Sequence, residues 1–92
     1  MAEYVYPAIF TPEDGGGYSI RFPDVKNCFT DAEDISGAMQ AANDVLCLML
    51  YDLEQEGAEA PVASSVADVQ KLAKKGEFVT LIACDTIEYR KF

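Results

Sequence analysis

A single unbroken stripe constrains this chain more than any other feature. Ile35, Ala38, Met39, Ala42, Val45, Leu46, Met49, Leu50 and Leu53 recur at i, i+3, i+4 and i+7, the spacing that aligns one face of an α-helix. A stripe of that length must be buried, so the rest of the chain has to build a surface that receives it. Asp31 or Asp34 is placed to cap the helix, and the acids of residues 31–34 complement the positive end of its dipole. Gly57 supplies the left-handed residue that ends it after Glu56. The stripe widens around Cys47, Leu48 and Tyr51, which calls for either a deep seat or a second partner.

The receiving surface reads as strands. Residues 4–10 are aromatic and β-branched, with Pro7 among them. Proline cannot donate to a ladder, so this strand belongs at an edge or turns that position outward. Pro12 to Gly17 is a tight reversal. After it Tyr18, Ile20 and Phe22 alternate with Ser19 and Arg21, completing a hairpin. A short third strand is expected around Cys28, Phe29 and Thr30. Residues 58–63 connect the long helix to a second one over residues 66–74, capped by Ser64 or Ser65 and ended by Gly76. Residues 77–84 form a last strand, apolar on both sides, and are expected inside the sheet or in a subunit contact. An amphipathic tail follows. The order β-β-β-α-α-β predicts an α+β fold: one mainly antiparallel sheet with helix packed on one face.

The 92 residues suffice for a single domain spanning 1–92, with residues 76–92 as last strand and tail, serving as oligomer contact or as the start of a linker. Lys and Arg number 7 against 16 Asp and Glu, a net charge of −9. That balance excludes direct nucleic-acid binding and adhesion to anionic membrane, both of which rely on basic side chains. A basic partner remains open, as does an acidic surface that serves solubility alone.

The chain has no His, the commonest general acid/base and metal ligand. Its three cysteines, Cys28, Cys47 and Cys84, show neither disulfide-framework nor zinc spacing. Cys47 reads as a small buried hydrophobe, and free thiols suit a reducing, cytoplasmic setting. The start of the chain lacks the pattern of a secretory signal, and the longest apolar run, Val45 to Leu50, is too short to span a bilayer.

Gly15–Gly17 leads into a strand, not a helix N-terminus, so it is a turn and not a phosphate loop. Asp14, Asp24, Asp31, Asp52 and Asp85 follow no calcium-loop spacing and have no accompanying nucleophile or base. No enzyme, metal site or cofactor is expected. Tyr4, Tyr6, Tyr18 and Phe22 are core candidates. Tyr51, Tyr89 and Phe92, with Phe78, Thr80 and Ile82 of the last strand, are candidate oligomer contacts, partial burial within the monomer being the alternative for the first three.

Taken in order, residues 6–24 (YPAIFTPEDGGGYSIRFPD), residues 27–32 (NCFTDA) and residues 36–43 (SGAMQAAN) resemble the HicB-like antitoxin family. The likeness is clear over residues 4 to about 60, and residues 77–92 resemble the last strand and tail of longer members. Asn27 stands where the family commonly has Gly, Ala32 and Glu33 where a Gly-containing turn is usual, and Gly37 where Glu is usual. The resemblance implies a partial RNase H-like core without its catalytic carboxylates. It also implies a partner, the small basic HicA-type toxin that cleaves mRNA, and a homo-oligomer, dimer or tetramer. Many members continue into a DNA-binding module where this chain stops at Phe92, so operator binding is not expected of these residues. The acids expected to meet the toxin are Glu13, Asp14, Asp24, Asp31, Glu33 and Asp34, on loops and at the helix entrance. Two alternatives stand beside this reading: a solitary homo-oligomeric binding or structural domain without a toxin, and, on fold analogy alone, an RNase H-like nuclease.

Overall fold

A computed structural model describes residues 3–89. The sheet consists of β1 (Glu3–Pro12), β2 (Tyr18–Arg21), β3 (Phe29–Ala32) and β4 (Phe78–Asp85), all antiparallel, in the order β3-β2-β1-β4. Three helices complete it: α1 (Ile35–Gln55), α2 (Val66–Gln70) and the single turn α3 (Thr86–Tyr89). The expected α+β arrangement, an antiparallel sheet carrying a helix on one face, is what the chain forms.

The stripe folds as α1, capped by Asp34, whose Oδ1 accepts from the Gly37 N–H at 2.7 Å. The helix ends at Glu56, with Gly57 at φ 73°. Its buried residues Ala38, Ala42, Leu46, Cys47 and Leu50 pack with Tyr6, Ala8, Phe10, Ile20, Phe22, Ile82 and Cys84 in one core. Ile35, Met39 and Leu48 stay exposed, because a helix lying on a sheet buries only the strip beneath it.

For two strands the sheet order removes one of the two alternatives expected from sequence. β1 is central, not at an edge, and β4 is an edge strand, not an interior one. The reason lies in length and register. β1 pairs with β4 from Glu3 to Phe10 but with β2 only from Ile9 to Pro12. The Asn43 side chain donates to the Ala83 carbonyl from outside the ladder. Pair alternation then turns Pro7 away from its partner Leu81, toward the side where β2 has not begun. Proline therefore removes no ladder bond there, and the outward-facing alternative holds.

The second helix takes the opposite face of the sheet. Alternation along β1 points Pro7 and Ile9 away from α1, yet both are buried. α2 packs on β1 and β4 and buries Val69 over them. It is shorter than expected, because residues 71–73 close with i to i+3 bonds instead of continuing the helix. Ser65 is the cap, accepting from the Asp68 N–H at 3.1 Å. Ser64 instead faces the loop after β2, where its N–H and Oγ both donate to the Asp24 carboxylate, at 2.8 and 2.6 Å.

The cysteine reading is also corrected. Cys47 and Cys84 are joined as a disulfide between α1 and β4, their Cα atoms 5.4 Å apart. Spacing along the chain conceals this pair, which meets only when β4 returns beneath α1. Cys28 keeps its thiol, and burial pushes that thiol up to about 11.

Asn27 adopts φ 61°, a left-handed conformation that asparagine tolerates better than other residues with a Cβ. A family glycine at this position has the same physical cause. Asn27→Ala is expected to lower stability by about 1 kcal/mol, while Asn27→Gly keeps it near the parent value; urea unfolding of the two variants checks this.

On the α2 side, Glu77 accepts from Arg21 at 3.1 Å, from the Lys74 N–H at 2.7 Å and from Thr11 Oγ1 at 2.6 Å. These bonds, led by Arg21, hold its carboxyl down to about 2, against an ordinary 4.5. A carboxylate with a depressed folded-state pKa stabilises above the unfolded value and loses that contribution as pH falls. Thermal midpoints should therefore fall between about pH 4.5 and 2, and Glu77→Gln should flatten that part of the profile. A Gln variant with an unchanged acid limb would refute the assignment.

Candidate partner-binding surface

With α2 over β1 and β4, the β2–β3 half of that face is left bare. Register places Ser19, Arg21, Phe29 and Asp31 side by side there. Together with Thr11 and Glu13 they line an open depression of about 420 Å³. Phe29 is 65% exposed. A phenyl ring so far out of the core contributes little to folding. Arg21 is the cation lining this depression among the described residues, and Glu77 already engages it.

The glycine-rich turn brings the acids to the rim. Gly15 and Gly16 adopt φ 93° and 101°, and the Glu13 N–H closes the loop on the Gly17 carbonyl at 2.7 Å. A Cβ on Gly17 would lie 3.0 Å from the Ala32 carbonyl oxygen and 3.3 Å from Glu13 Oε1. Only glycine lets the turn press against the β3–α1 junction. Glu13 and Asp14 on the turn thus come to the same end of the sheet as Asp31, Glu33 and Asp34. All five are exposed, although Asp34 is already engaged as the helix cap.

Asp24 does not join them. It lies in the loop after β2, at the other end of that strand, and its carboxylate holds Ser64. Its role is to tie the connector to the sheet.

The expected oligomer contacts also divide. Ile82 is 3% exposed and belongs to the monomer core, which corrects its assignment to a contact surface. Thr80 shares its face of β4 and is half-buried, as is Tyr51; Phe78, next along that face, is exposed. Phe92 lies outside the described residues, and Tyr89 is described only as the last backbone position of α3. Phe29 is a site residue that the sequence reading does not single out. The signal lies in neighbouring Cys28: once Cys28 points inward, alternation turns Phe29 out.

Beyond the rim, Glu54 near the end of α1 accepts from Tyr4 at 2.8 Å and from buried Thr86 at 2.9 Å, tying the Glu3–Asp85 end of the β1–β4 ladder to the helix. This contact, with burial second, pushes the Tyr4 phenol up to about 12. Among the described residues no group of His, Cys, Asp and Glu is arranged to hold a metal ion. No helix there is long and apolar enough to cross a membrane.

An antiparallel four-stranded sheet with one long helix and an acid-rimmed open half-face defines a small α+β domain built around a surface, not a cleft. Residues 6–91 match the family model described as HicB_like antitoxin of bacterial toxin-antitoxin system. The chain belongs to that family. It is 39% identical over 54 residues to the Antitoxin HicB of Escherichia coli (strain K12), covering 59% of this chain and 38% of that protein; the match thus spans well under half of the curated relative.

Solved structures agree on the fold. A toxin-antitoxin complex from Streptococcus pneumoniae superposes with a TM-score of 0.79 at 24% identity, covering 95% of this chain and 72% of that one. The N-terminal domain of the Burkholderia pseudomallei antitoxin HicB gives 0.75 at 21%, covering 89% and 99%. A HicA3 and HicB3 toxin-antitoxin complex gives 0.69 at 20%, with the same coverage.

Proposed function

We propose that this domain is the neutralising part of an antitoxin. It binds a small basic HicA-type toxin and covers the surface through which that toxin engages and cleaves mRNA. The observation that carries the reading is the bare β2–β3 half-face, where exposed Phe29 stands beside Asp31 and Glu13, with Asp14 and Glu33 at the same end of the sheet. An apolar anchor within an acidic rim fits a basic surface, because opposite fields speed encounter while the desolvated aromatic holds the complex. Family membership and the HicA3 and HicB3 complex among its structural relatives point to the same class of partner. In this reading the domain performs no chemistry, acts in the cytoplasm, and takes no part in contacting operator DNA.

The test is co-expression with the HicA-type toxin encoded beside its gene. Restored growth and a co-purifying complex are expected; persistent toxicity with no complex overturns the reading. A solitary homo-oligomeric domain is the second reading, supported by Leu81, 52% exposed on edge strand β4, and by exposed Phe78. Its mark would be a stable dimer or tetramer in sedimentation, dispersed by Leu81→Lys, with no small basic neighbouring gene.

A further inference from the structure

Edge strand β4 is held from three directions. The β1 ladder grips one side, Ile82 and Cys84 enter the core, and Asn43 of α1 hydrogen-bonds the Ala83 carbonyl from the outer side. Four residues along the helix, one turn from Asn43, Cys47 bonds Cys84. Both sulfur-bearing residues are buried, at 4% and 2% exposure. A groove of about 330 Å³ opens at the end of the β1–β4 ladder, lined by Tyr4 and Val5 of β1, Ala83 and Cys84 of β4, and Asn43 of α1. Solvent thus comes up to the strand that carries Cys84 without reaching its sulfur freely.

We propose that Cys47 and Cys84 form a redox-responsive staple that determines how readily β4 leaves the sheet. Oxidation by a low-molecular-weight disulfide such as glutathione disulfide is balanced. The two protein thiols lose two protons and two electrons, one S–S bond forms in the protein, the S–S bond of the oxidant breaks, and two glutathione thiols leave. Exchange requires β4 to lift, because a thiolate must reach a buried sulfur. Glu3 and Asp85 also line the groove, so a neutral dithiol gains access more readily than anionic glutathione. The bond spans a sequence separation of 37. Closing a loop of that length in the unfolded chain shifts the unfolding equilibrium on the order of 10²–10³-fold toward the folded state. In a domain of this size that corresponds to a melting difference of roughly 15–25 °C.

The test uses the whole chain, without substitution in its first arm. One portion is oxidised with glutathione disulfide and one is kept in dithiothreitol; both are denatured, alkylated and weighed, and parallel samples are melted. The oxidised form should carry one alkyl group, on Cys28, and the reduced form three. The oxidised form should melt higher by the amount above, with slower hydrogen exchange at the β4 amides. Cys28→Ser should keep this response and Cys84→Ser should abolish it. Three alkyl groups after oxidation, midpoints that coincide within about 2 °C, or an oxidised form that melts lower would each overturn the proposal. None of these readouts depends on the toxin, so failure here leaves the proposed function untouched.

Discussion

Phe29→Ala lowers affinity for the HicA-type toxin by roughly 30-fold or more and leaves the thermal midpoint where it was. The direction follows from exposure. At 65% exposed, the ring contributes little to the fold, whereas a central aromatic anchor in a protein interface is worth about 2 kcal/mol or more. The acids around it act differently. Asp31→Lys with Glu33→Lys reverses the field at the rim, so association should slow by about 10- to 100-fold and its salt dependence should flatten, with dissociation less affected. Asp24→Asn is the internal contrast. It should spare association and lower stability instead, because Asp24 holds Ser64 through two bonds. Stopped-flow binding at two ionic strengths separates these outcomes. An unchanged affinity in Phe29→Ala would move the interface off the β2–β3 half-face.

Leu46→Ala is the substitution expected to damage the fold most. Leu46 is fully buried at the centre of α1, against the sheet. Truncating a buried leucine costs about 2–5 kcal/mol, from lost transfer energy and the cavity left behind. A domain of this length has a total stability of roughly 5–14 kcal/mol, so the variant sits close to unfolding. Leu48, two residues on and 43% exposed, gives the control: Leu48→Ala should change stability by about 0.5 kcal/mol or less. Urea midpoints measure both. Similar losses at the two positions would mean that α1 does not seat on the face described.

Local rules make α1 legible from end to end. The stripe, the Asp34 cap and the Gly57 stop are all interactions within a few residues, and the helix runs between them. The hairpin is legible for the same reason, its turn glycines and alternating side chains being neighbours. The positions of β1 and β4 are not. Pro7 and the two-sided apolar character of β4 are compatible with several sheet orders. Only the unequal reach of β2 and β4 along β1 selects one. The cysteine pair is hidden in the same way, since Cys47 and Cys84 are 37 residues apart and meet through packing alone.

For the candidate site, the acids on the first turn and at the helix entrance are legible because both segments are polar and flank turns. Their convergence is not. It depends on Gly17 letting the turn press against residue 32, a contact across the sheet. Asp24 looks like its neighbours in composition and proves to be a structural tie. Ile82 looks like surplus apolar surface and proves to be core.

By itself the sequence determined the long helix, the hairpin, the acidic charge and the family likeness, because each rests on short-range pattern or on composition. The tertiary structure alone decided which strand lies at the edge, which cysteines meet, and which half-face stays open beneath the acids. Those are outcomes of long-range packing, where residues far apart in the chain compete for the same neighbours.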